Sequence, residues 1–448
     1  MTVIELGLVG HDGDRPAGPP RRAPLRVVFR RVRVLVAAVA ALCLPTLAGS
    51  ARPVSHSPQQ LWSAPFAPDN GDVFSVGSGR VFVLTAGGVL TAYGADDGAV
   101  HWSAKGLTGA AWVSPTDFRL VLLPVYASDS DLESQDGGQT FRQHPHETIA
   151  LDAATGREIW RLPGEAAVAE EGRVVLVERD DANVLRTVHV VRLHDGAPVW
   201  SRPAAGLETW TAGGTPGATA DRLATVGRHG EVKVYDMADG RLVADGVVPW
   251  LGQDEQGESY SEVMIEKGTL YVHNIQGGKG RITAFDTATM QRKWRVDVSS
   301  DGGFYPCGPV LCISGPDGTS GHDRETGAAR WSVPGMASGV PLPDGTLMTS
   351  SRDADSRNTL VDAATGRPIA ELGAGTPVWE YSTSPRRPYL LNRVSQPADR
   401  MTVSELDDTG KVRLRGTIAP VLDDSCQAAG DLLVCAAPHG RLTVTDVG

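Results

Sequence analysis

Lysine is scarce in this 448-residue chain, where six of the 42 basic residues are lysine and the others arginine. Acidic residues are in excess, the formal charge is −11, and the absence of a basic stripe argues against nucleic acid as a partner. Long amphipathic helical patterns are missing after residue 50, which removes bundle and α/β architectures. Neither a G-x-S-x-G elbow nor a P-loop occurs, so the usual nucleophilic and nucleotide-phosphate chemistries have no local signature. His144-Pro145-His146-Glu147 opens like a zinc-protease motif, but no second histidine follows. No two cysteines are adjacent, and no histidine pair completes a cysteine pair at zinc-finger spacing.

A phrase is present instead, recurring about every forty residues. Its fullest form is Leu151-Asp152-Ala153-Ala154-Thr155-Gly156-Arg157-Glu158-Ile159-Trp160. Other copies run from Tyr93 through Asp96-Asp97-Gly98 to Trp102, and from Leu193-His194-Asp195-Gly196 to Trp200, the latter reading as shortened by two. Asp236 to Gly240 leads to Ala244, Asp286 to Trp294 with Met290 in place of glycine, and Asp323 to Trp331. Asp362 to Gly366 leads to Ala370, and Asp408-Thr409-Gly410 to Leu414. Two runs of alternating apolar residues precede each copy, such as Arg80–Leu84 and Val89–Tyr93. That period of two, split by Gly and Asp, reads as antiparallel strands joined by hairpins.

The phrase has a physical reading. The aspartate accepts bonds from the N–H groups of its own turn, and glycine supplies the positive φ. Tryptophan then falls on the outermost strand, where its ring covers the flank of the next sheet. Repeated radially, the unit gives an all-β propeller of four-stranded antiparallel blades. The aspartates (Asp152, Asp236, Asp286, Asp323, Asp362) are therefore read as turn closers, one per blade, and not as a carboxylate cluster. The tryptophans (Trp62, Trp102, Trp160, Trp200, Trp294, Trp331) are read as blade-to-blade packing. The sequence ends on a third strand, Thr443 to Gly448, while Gln60-Leu61-Trp62-Ser63-Ala64 is a tryptophan strand with no blade before it. The amino-terminal strand is thus expected to complete the last blade. The motif count favours nine blades, with eight left open by one weak unit.

The segments Ala150–Trp160 and Ile282-Thr283-Ala284-Phe285-Asp286-Thr287-Ala288-Thr289 resemble the repeat of PQQ-binding-like β-propellers, and the resemblance covers roughly residues 60 to 448. That family holds quinoprotein dehydrogenases as well as non-enzymatic scaffolds. The resemblance implies a propeller and leaves open whether a quinone with Ca²⁺ binds. No calcium ligand of the dehydrogenases can be placed on a matching motif here, so no cofactor is expected and PQQ with Ca²⁺ stays the alternative.

The first fifty residues supply an address. Residues 1–31 read as a disordered, cytoplasmic Arg/Pro-rich tail. Residues 32–50 hold the apolar run Val34–Leu44 and the small residues Thr46–Ser50, which read as a signal anchor or a cleaved signal peptide. Residues 51–59 would be a linker and 60–448 the propeller, held outside the cytoplasm on a single-pass anchor at the cell membrane, or secreted. Cys43 follows Leu42 where a lipobox needs a small residue, and Arg30-Arg31 departs from a twin-arginine motif after the pair.

Four cysteines pair by position: Cys307 with Cys312 and Cys426 with Cys435, each pair on adjacent strands. Aligning Val310-Leu311-Cys312 with Leu433-Val434-Cys435 makes Cys312 and Cys435 equivalent; four free buried thiols are the alternative. The acidic insertion carrying Asp129, Asp131, Glu133 and Asp136 is a candidate Ca²⁺ loop, although Ser134 and Thr140 break the EF-hand spacing. A solvated loop is its default reading. Three functional classes follow: a non-catalytic binding scaffold, a quinone-dependent oxidoreductase with a divergent site, and the ectodomain of an envelope sensory system. The scaffold reading is preferred, as a monomer binding a protein, glycan or small ligand on one propeller face.

Overall fold

The computed structural model describes residues 57–448 apart from 117, 127–144, 171, 181–183, 214–219, 253–258, 300–301, 352–356, 381–387, 395–398, 408 and 423–424. Among the described residues, 36 strands form nine four-stranded antiparallel sheets, and the one helix is the three-residue 3₁₀ turn Pro68–Asn70. Blades 1 to 8 span residues 73–104, 114–163, 165–203, 207–247, 259–299, 304–334, 336–373 and 376–418, each with strands in sequence order. Blade 9 combines Cys426–Ala429, Leu432–Ala437 and Arg441–Asp446 with Gln59–Pro65 as its outer strand. The ring is therefore closed by the amino-terminal strand, which starts one residue earlier than the sequence suggests.

Hydrophobic burial explains why the blades stack. The middle strands are apolar at consecutive positions because both faces of every sheet are covered. Successive side chains point to opposite faces. Val81 and Val83 thus join the core shared by blades 9 and 1, while Phe82 and Leu84 join the core shared by blades 1 and 2. Among the described residues there are nine such clusters, one between each pair of neighbours.

The recurring turn holds each third strand to its fourth. In the fullest copy the Asp152 carboxylate accepts bonds from the Ala154 and Thr155 N–H groups and the Thr155 hydroxyl, while the Gly156 N–H donates to the Asp152 carbonyl. Gly156 sits at φ +70°, and a Cβ there would lie 2.5 Å from the Trp102 ring of the preceding blade. Gly366 meets Trp331 in the same way at 2.6 Å. Each tryptophan of the set Trp62, Trp102, Trp160, Trp200, Trp294 and Trp331 also donates its indole N–H across the interface. The acceptors are carbonyls of the next blade's turn, at 2.7–3.1 Å: Ala95, Ala153, Leu193, Met237, Arg324 and Ala363 respectively.

Three details of the sequence reading are corrected. The copy ending at Trp200 is not shortened, because Arg192 stands at the aspartate position and its N–H bonds the Ala197 carbonyl as Asp152 does Arg157. In blade 8 the turn is closed by the carboxylate of Asp407, with bonds from the Thr409 and Lys411 N–H groups, and Asp408 lies outside the described residues. The tryptophan position of that blade, opposite Val403, belongs to Gly416 and not to Leu414. Finally, Cys312 and Cys435 are not equivalent. Asp323 pairs with Val310 and Asp446 with Leu432, so Val434 matches Cys312. A one-residue slip reverses the face, and Cys312 packs against blade 7 while Cys435 packs against blade 8.

Candidate functional site

The first strands of the blades surround the axis, and three of them are tied by direct bonds. The Gln427 side chain accepts from the Val76 N–H at 3.1 Å and donates to the Phe74 carbonyl at 3.2 Å, as a strand backbone would. On its other side, the Ala428 N–H donates to the Trp379 carbonyl at 3.0 Å, next to a parallel bridge between Glu380 and Ala428. This brings residues from blades 8, 9, 1 and 2 around one cavity of about 760 Å³. Its walls run from Val76, Gly77, Pro115, Ala428 and Ala429 on the inner strands out to Leu61 on the outer strand of blade 9, with Ser78 and Thr116 at the hairpin turns. Four carboxylates, Asp96, Glu380, Asp431 and Asp446, line it, and among the described residues no lysine or arginine does. A low-dielectric concavity lined by one sign of charge focuses the field and attracts cationic groups.

The turn aspartates lie elsewhere and do a different job. Thr155, Thr289 and Thr365 hydroxyls hold Asp152, Asp286 and Asp362 below the usual carboxylate range. The Arg330 guanidinium lowers Asp323 to about 2, and the Thr409 hydroxyl lowers Asp407 to about 2. Asp236 bonds its own turn through Ala238 and pairs with Arg222. Each belongs to one blade, and no group of three or more His, Cys, Asp or Glu side chains converges on an ion-sized gap among the described residues. The candidate calcium residues Asp129, Asp131, Glu133 and Asp136 lie outside the described residues.

Sequence reasoning missed the four mouth carboxylates as a group, because they come from blades 1, 8 and 9 and only Asp446 stands at the register of a repeated aspartate. It also missed a serine–histidine contact in blade 6, Ser320 Oγ to His322 Nε2 at 2.9 Å. His322 Nδ1 lies 3.0 Å from the Gly327 carbonyl, so the ring ties strand to turn on the third strand, away from the mouth. The two cysteine pairs are joined, Cys307 to Cys312 with Cα atoms 5.7 Å apart and Cys426 to Cys435 at 4.1 Å. No helix among the described residues is long and apolar enough to cross a membrane, and residues 32–50 are not among them.

A family model described as outer membrane protein assembly factor BamB, of the PQQ-repeat type, matches residues 50–116, 111–333 and 278–447. The chain belongs to this family. A search of curated proteins found no match. Among solved structures the chain is similar to BamB from Moraxella catarrhalis, at 15% identity over 87% of this chain and 99% of that one, with a TM-score of 0.45. It is also similar to a eukaryotic initiation factor, at 12% identity over 78% and 87% of the two chains, with a TM-score of 0.51. A third likeness is to quinohemoprotein alcohol dehydrogenase from Comamonas testosteroni, at 12% identity over 88% and 77%, with a TM-score of 0.40. Identities this low speak to the propeller fold alone.

Membership in a PQQ-repeat family raises the question of a quinone. That cofactor is a tricarboxylate, and its binding asks for cations and a coordinated metal. Among the described residues the mouth offers four carboxylates and no basic side chain. The residues present there do not fit the group.

Proposed function

We propose that this protein is a non-catalytic scaffold that docks a partner protein, with the acidic axial mouth as the docking surface. The observation that carries the reading is the family match, which runs through nearly all of the ring to a model described as an assembly factor. The chemistry of the mouth supports it, since a carboxylate-lined concavity suits a Lys- or Arg-bearing segment. The Arg-rich residues 1–31 and the apolar stretch within 32–50 support an address outside the cytoplasm, tethered or exported.

The test is a photo-cross-linking amino acid at Thr116 in the full chain in its native cell envelope. A discrete protein adduct is expected there, lost when Asp96, Asp431 and Asp446 are changed to asparagine and absent when the probe sits at Val100 on an outer strand. Recovery of the chain in the cytosolic fraction would sink the address. Absence of any adduct, together with dye reduction on adding quinone and Ca²⁺, would replace the scaffold with an oxidoreductase.

A further inference from the structure

We propose that Cys426–Cys435 is a redox-sensitive latch on the axial mouth, whereas Cys307–Cys312 is a permanent staple; the regulatory role rests on the docking function assigned to that mouth. The two bonds differ in surroundings. Cys307 and Cys312 are both 0% exposed and are walled in by Trp331, Met336, Leu347 and Val361. Cys435 is equally enclosed, but Cys426 is half-buried at the start of the innermost strand of blade 9. Thiol–disulfide exchange needs a thiolate to reach a sulfur, and of the four paired cysteines Cys426 alone is not fully buried.

What the bond holds is the joint of the ring around the mouth. Strand Cys426–Ala429 is four residues long, yet Gln427 reaches blade 1 and Ala428 reaches blade 8. Ala428 and Ala429 form the mouth wall, and Asp431 follows in the next turn. The disulfide fastens this strand to Leu432–Ala437 behind it. It faces the interface between blades 8 and 9, where Gly416, opposite Val403, stands in place of a docked tryptophan. A short strand with few buried contacts opens locally at low free-energy cost once its cross-link is gone.

The step balances with a dithiol as reductant. Its thiolate attacks the Cys426 sulfur, a mixed disulfide forms, and Cys435 leaves as a thiolate that takes up a proton. The second thiol of the reagent then closes on its own sulfur and releases the Cys426 thiol. The protein bond gains two electrons and the dithiol becomes a cyclic disulfide. Reoxidation by the disulfide form of such a carrier reverses each step.

Full-length protein titrated with dithiothreitol, its freed thiols alkylated and mapped and its amide exchange followed, tests the latch. Cys426 and Cys435 are expected to be alkylated at concentrations that leave Cys307–Cys312 intact. In the same samples the Val76 and Ala428 amides should exchange at least about tenfold faster. The variant C426S/C435S should show that exchange without reductant; if it does not fold, the selectively reduced wild type carries the same readout. Release of all four cysteines together, or unchanged exchange at Val76 and Ala428, would overturn the proposal. Neither readout involves a partner, so a failure of the Thr116 adduct with an intact latch sinks the docking role alone.

Discussion

Two kinds of blade interface share this ring. Six are docked by tryptophan, and there Trp160, Trp200, Trp294 and Trp331 are all less than a tenth exposed. At the others the same register position, opposite Val234, Leu360 and Val403, belongs to Ala244, Ala370 and Gly416. Leu414, opposite Ser404 on the other face of its sheet, is 66% exposed. The difference teaches that a tryptophan is matched to the turn glycine of the next copy and not to its own. Where Ala244 replaces tryptophan in blade 4, the facing turn in blade 5 carries Met290 at φ 54°, a conformation that favours glycine. Where Ala370 does so in blade 7, the facing turn in blade 8 is the shorter one at Asp407. Gly416 faces blade 9, whose outer strand comes from Gln59–Pro65, so no hairpin turn joins it to the third strand, and a Cβ on Gly416 would lie 2.3 Å from Pro58 Cδ.

The largest expected effect breaks a docked interface outright. Trp331→Ala removes the ring that covers Gly366 and the bond to the Ala363 carbonyl, at a cost of about 3–5 kcal/mol. Leu414→Ala, on an outer strand but 66% exposed and docked on no turn, should stay within about 0.5 kcal/mol. Urea midpoints compare the two, and equal shifts would erase the distinction between interfaces.

A middle-sized effect would convert one kind of interface into the other. Ala244→Trp alone puts a ring where Met290 stands and should destabilise by about 1–3 kcal/mol. Met290→Gly removes both the side chain and the positive-φ strain. The double variant should recover more than the sum of the single ones, with a favourable coupling of about 0.5–3 kcal/mol in thermal or urea melts. Strict additivity would mean that the correlated losses have no packing basis.

The smallest effect separates the turns from the tryptophans. Asp152 and Asp286 are both held below the usual carboxylate range, though only the Asp152 turn receives a ring. With folded values lower than the unfolded ~3.9, these groups contribute stability that is complete above about pH 5 and fades as pH falls through the folded values. For Asp323 and Asp407 those values are about 2. Asp152→Asn and Asp286→Asn should flatten the acid limb of a stability-against-pH curve by similar amounts. A response in Asp152→Asn alone would tie the turn's carboxylate to the tryptophan above it.

Much of this was legible in the chain itself. The blade unit, its turn aspartates and the closing strand at Trp62 are written in short-range patterns, because hairpin chemistry depends on residues a few positions apart. The turns of blades 3 and 8 were misread for a related reason: Arg192 holds its turn through its backbone N–H, and in blade 8 the carboxylate that closes a shorter turn is the first of two adjacent aspartates. The cysteine alignment slipped by one residue, since apolar runs buried on both faces carry no polar alternation to fix their phase. The candidate site was almost illegible. Asp96, Glu380, Asp431 and Asp446 belong to blades 1, 8 and 9, and nothing local to any of them announces the others.

By itself, then, the sequence determined the repeat, the all-β propeller and the closure of its ends, all consequences of alternation and turn chemistry within some forty residues. Only the tertiary structure decided that there are nine blades, which copy each tryptophan serves and which carboxylates share a mouth. Those depend on how far each sheet rotates against its neighbour when both faces are buried, and that angle is a property of the packed ring.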